Sequence, residues 1–167
     1  MKKILKLPLY LLIAGIIYRF ITMTSIRFLM SIYGPQSDKV MKYFEYISII
    51  AFLIIFVFIG LMVRKNYNMK ECFQSITLVF VYTLVMVGVE RLLYSSSNWE
   101  LGIKISMYMF MPTEIFHIPY NFIANYIRIL NYSEIGIFAV VLNNALIYSF
   151  LLFIKGNRTI DKYKIEY

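Results

Sequence analysis

The chain has 167 residues, 60% of them hydrophobic and 16% charged, and its 17 Lys and Arg against 9 Asp and Glu give a net charge of +8. Soluble domains carry about 25% charged residues, so the long apolar runs here call for lipid as the main solvent. The cations flank those runs instead of forming a patch, which excludes a nucleic-acid partner and assigns them to orientation and anionic headgroups.

Lys2-Lys3 ahead of an apolar run has the start of a secretory leader. No small-x-small cleavage site follows, however, and the helical pattern continues past Arg19. One uncleaved span over 7–33 is predicted, longer than the ~20 residues a crossing needs, with Gly34-Pro35 as its break. A second span covers 43–63, free of charge from Tyr46 until Arg64-Lys65. A third covers 72–94, with Glu90-Arg91 near its far end and Tyr94 and Trp99 where an outer aromatic belt belongs. The last span, 134–154, opens on Ser133 as N-cap with Glu134 in the first turn and closes at Lys155-Gly156.

With the N-terminus inside, one side holds Lys2, Lys3, Lys6, Arg64, Lys65, Lys70, Lys155, Arg158, Lys162 and Lys164. The other side holds fewer cations and most of the acids. The positive-inside rule then puts both termini in the cytoplasm, and an even number of spans agrees. The fold class is all-α: a polytopic integral membrane protein with four transmembrane helices. The abundance of Ile, Phe, Tyr, Asn and Lys reflects AT-rich coding and points to a bacterial cell membrane.

Residues 101–131 are apolar but contain Pro112 and Pro119. As a single span they would carry the Lys-rich C-terminus outside. Parity survives if the segment lies flat on the outer interface, or if it re-enters the bilayer and turns at Pro112-Thr113 under protein cover. Glu114, His117, Asn121, Asn125 and Arg128 fall within an arc of roughly 80° on a helix. Interfacial helices have broad, Lys-rich polar faces, so this narrow stripe of mixed sign favours re-entry.

Arg19 lies about 18 Å into the first span and Asn143 and Asn144 about 16 Å from the inner boundary, so they share a level. An arginine there needs protein or water and a partner, and Glu90 is the natural carboxylate. Arg19, Glu90, Glu114, His117, Asn121, Asn125, Asn143 and Asn144 are therefore the candidate lining of an outer-side polar cavity, against the alternative of a structural ion pair and interhelical amide bonds.

No cofactor is expected. The lone Cys72 and the single His117 exclude a disulfide, a thiolate cluster and a haem ligand pair. Glu114-x-x-His117 has the spacing of a metal-binding pair, but di-metal bundles need two copies, so no metal is expected. No nucleophile motif, aspartate dyad or phosphate loop is present. The expected function is non-catalytic: an accessory, partner or immunity-type subunit, or a small transporter component, in contact with the bilayer and with another membrane protein or further copies of itself. The competing reading is a membrane-embedded enzyme on a lipid-linked substrate, using His117 with Glu114 or Glu90 as catalytic groups.

Overall fold

The computed structural model describes residues 3–95, 100, 108–116 and 145–154. The described elements are helical, with no strand among them. The expected span 134–154 is therefore described only from 145, and most of 101–131 lies outside the described residues.

A 3-10 turn, Lys3–Leu5, leads into α1 (Lys6–Tyr33). Pro8 sits in the first turn of α1, where its missing N–H would lack an intrahelical acceptor anyway. The helix buries Leu7, Leu11, Ala14, Gly15 and Tyr18, the three-and-four spacing of a single face. It ends at Gly34, whose N–H bonds the Met30 carbonyl at 3.0 Å and whose φ of 83° and ψ of 152° suit glycine alone. The expected break at Gly34-Pro35 is where the chain turns.

Next comes α2 (Asp38–Asn66), five residues earlier at its start than the apolar run from 43. Its first turn holds Asp38 and its last turn Arg64 and Lys65, each matched to the sign of the helix dipole there. Apolarity marks where lipid begins and ends, whereas capping charges carry the helix further into water. The same reason moves the start of α3 (Met69–Ser95) ahead of 72. Asn68 Oδ1 accepts from the Glu71 N–H at 2.8 Å while Glu71 Oε2 accepts from the Asn68 N–H at 3.2 Å, a reciprocal capping box.

The three helices run up, down and up. Tyr33 and Tyr43 stack at 5.5 Å across the α1–α2 turn. At the opposite end the Tyr67 hydroxyl donates to the Lys3 carbonyl at 2.9 Å, and Lys3 Nζ stands 3.6 Å from Glu71. Each of these helices is long and apolar enough to cross a membrane. No more than about a third of each apolar window is buried in the protein, and Phe20, Phe28, Ile54 and Phe58 are more than 60% exposed. An apolar exterior of that extent belongs in lipid.

A shorter apolar helix, α4 (Ala145–Ile154), completes the described core. It contributes Ile147, Phe150 and Ile154, which join Leu7 and Leu11 of α1, Ile59 and Val63 of α2, and Cys72, Ile76 and Val79 of α3. Phe150 stacks on Phe56 at 4.8 Å, and Phe73 meets Tyr148 at 5.9 Å.

Candidate functional site

A second 3-10 turn, Met111–Phe116, enters the described core, with Thr113, Ile115 and Phe116 buried. Pro112 cannot donate a backbone hydrogen bond, which favours a tight turn over a continuing α-helix. Thr113 closes it: its N–H and its hydroxyl both donate to the Phe110 carbonyl, at 2.9 and 3.0 Å. The Tyr82 hydroxyl of α3 donates to the Met109 carbonyl at 2.7 Å, tying the approach to the turn to the bundle.

The turn packs against the middle of α1 and also touches α2. Contact is made at Gly15, where a Cβ would run into the Met111 carbonyl and would stand 3.5 Å from Glu114 Cβ. Only glycine lets irregular backbone come this close to a helix. Two residues further on, Phe116 enters an aromatic nest with Phe52, Phe56 and Phe150, at ring separations of 6.1, 6.5 and 6.4 Å.

Glu114 is thereby held, half-buried, beside α1 and one helical turn from Arg19. The Tyr18 hydroxyl lies within electrostatic reach of its carboxylate and close to the Ser48 hydroxyl of α2. Tyr18 is 3% exposed and Ser48 is fully buried; the two hydroxyls lie near each other, yet neither makes a hydrogen bond of good geometry among the described residues. This is unusual, because an unsatisfied buried hydroxyl costs about 1–3 kcal/mol. Ser75, Thr77 and Thr83 each donate to the carbonyl four residues back, at 2.8 to 2.9 Å, and so are satisfied by their own helix. Ser48 has the same option and does not take it.

Tyr18 stands roughly 18 Å from the start of α1 and Ser48 roughly 15 Å from the start of α2, so the cluster lies deep between the bundle's ends. Two unsatisfied hydroxyls and a carboxylate can together bind water or a small polar or cationic group by oxygen donors and hydrogen bonds. Among the described residues no group of three or more His, Cys, Asp or Glu is placed to hold a metal.

Of the residues singled out from sequence, Glu114 enters this cluster and Arg19 adjoins it. Arg19 and Glu90 are both half-buried and both engaged in interactions. His117, Asn121, Asn125, Arg128, Asn143 and Asn144 lie outside the described residues. Sequence reasoning passed over Tyr18 and Ser48. A signal existed for Ser48, the sole aliphatic hydroxyl in the uncharged run from Tyr46 to Val63. Comparison of the chain with family models, curated proteins and solved structures finds no match.

Proposed function

We propose that the chain is a non-catalytic, multi-pass protein of a bacterial cell membrane, a small transporter component or partner subunit that binds a polar group at Tyr18, Ser48 and Glu114. The observation that supports this reading is the buried hydroxyl pair of Tyr18 and Ser48, without a well-formed hydrogen bond, with Glu114 in electrostatic reach of Tyr18 where the Met111–Phe116 turn packs on α1. Irregular backbone at membrane depth is tolerated where protein or a polar cavity covers it. Broken helical segments of this kind form the binding sites of many transporters.

In this reading 101–131 re-enters the bilayer and turns at Pro112-Thr113, 134–154 is the fourth span, and both termini are cytoplasmic. The outer-side cavity is completed by Asn121, Asn125, Asn143 and Asn144, with Arg19 balanced by Glu114 or Glu90. In this reading the chain also contacts another membrane protein or further copies of itself.

The test compares Glu114→Gln, Tyr18→Phe and His117→Ala in cells, with membrane abundance measured beside the phenotype of a deletion strain. Loss of function in the first two at normal abundance, with His117→Ala active, is expected. Loss of function in His117→Ala alone would favour an enzyme acting on a lipid-linked substrate. Cysteines placed at 104 and 162 of a Cys72→Ala chain, labelled from outside, test the topology: 104 should react and 162 should not.

A further inference from the structure

Between the outward faces of α1 and α2 runs a groove of about 310 Å³ with a wholly apolar lining. It extends from Tyr10 to Ile17 on α1 and from Ile54 to Met62 on α2, roughly 10 to 12 Å along the helices. That is most of the ~15 Å depth of one leaflet's hydrocarbon.

The helix register places a lysine at the same end of each wall. Lys6 is four residues before Tyr10, and Lys65 is three residues after Met62, so each lies on the stripe that lines the groove. The hydrogen bond from Tyr67 to the Lys3 carbonyl holds these two helix ends at one level. Both lysines are exposed, and neither has an ion-pair partner among the described residues.

We propose that this groove binds one anionic phospholipid, with an acyl chain along Tyr10, Ile13, Ile17, Ile54, Phe58 and Met62 and its phosphate between Lys6 and Lys65. A partner helix fits the observations less well. Close helix contact in membranes relies on small residues, and the lining offers only Ala14, among Ile, Phe, Tyr and Met side chains. A helix would also leave two cations unneutralised at the mouth, whereas a lipid phosphate answers both.

This inference rests on α1 and α2 crossing a membrane. If that fails, the chain leaves membranes on alkaline extraction without detergent. If only the lipid site fails, it stays in the membrane without headgroup preference. The experiment is native mass spectrometry of the full chain in detergent, titrated with phosphatidylglycerol, phosphatidylcholine or glycerol 3-phosphate.

Wild type should retain one phosphatidylglycerol in preference to phosphatidylcholine and should not retain glycerol 3-phosphate. Each lysine near the surface is worth about fivefold, so Lys6→Gln with Lys65→Gln should lower the preference by about 25-fold. Ile54→Trp, on an outward position, should fill the groove and abolish retention while helicity is unchanged. Equal retention of the two lipids, a preference that survives the double substitution, retention by Ile54→Trp, or tight binding of glycerol 3-phosphate would each overturn the proposal.

Discussion

The two sides of the Met111–Phe116 turn differ in almost every respect, although they are two residues apart. On one side Phe116 is fully buried and meets Phe52, Phe56 and Phe150 edge-on. On the other, Glu114 lies within electrostatic reach of Tyr18, whose buried hydroxyl and that of Ser48 make no hydrogen bond of good geometry. The first side is built for stability, because ring packing adds about 0.5–1.5 kcal/mol per pair beyond burial. The second side subtracts from stability, because buried hydroxyls without well-formed hydrogen bonds keep their desolvation cost. The aromatic nest holds the turn in place.

Substitutions should separate the two sides. The largest effect is expected for Phe116→Ala, which removes the shared ring and should cost about 3 kcal/mol, read as a lowered unfolding midpoint in detergent. Gly15→Ala comes next. Its methyl meets the Met111 backbone, which cannot rotate away, so a loss of about 2 kcal/mol is expected. At Gly60 a Cβ would lie 2.5 Å from the ring of Phe153. A ring can swing aside, so Gly60→Ala should cost less than about 1 kcal/mol. Equal losses at the two glycines would show that the turn is not wedged against α1.

On the polar side the sign reverses. Ser48→Ala removes a buried hydroxyl that makes no hydrogen bond of good geometry, and should leave stability unchanged or raise it by about 1 kcal/mol, while function falls. A marked destabilisation would mean that the hydroxyl has a structural partner and that the two sides are alike.

The smallest effect is expected at the end of the bundle, outside the spans. Burial pushes the Tyr67 phenol from 10.0 up to about 12. A group raised in the folded state contributes fully below its unfolded value and loses that contribution as pH rises through the folded one. The tie from Tyr67 to Lys3 should therefore weaken between pH 10 and 12, and Tyr67→Phe should abolish that part of the alkaline sensitivity in an unfolding titration.

Much of this architecture was legible in the order of residues. Long apolar runs bounded by charges predict α1, α2 and α3, and Gly34-Pro35 marks the turn between the first two. Helix ends were less legible, since runs such as Asp38–Lys42 and Asn68–Glu71 read as loop by hydropathy but act as caps and first turns. Glu114 stood out because a carboxylate in an apolar segment is conspicuous. Tyr18 and Ser48 did not. Their significance depends on the register of α1 against α2, and pairing thirty residues apart leaves no periodic trace in either helix.

The slot at Gly15 also has a history in time. Its walls on α1 and α2 are synthesised well before Met111 exists. At 5–20 residues per second, roughly 3–12 s separate the appearance of Ser48 from that of the turn that covers it. For that interval the first helical hairpin carries an open notch at mid-height, with two hydroxyls uncovered. A nascent chain halted between α3 and the turn would present that notch to the insertion machinery, and crosslinking from position 15 or 48 would catch whatever occupies it first.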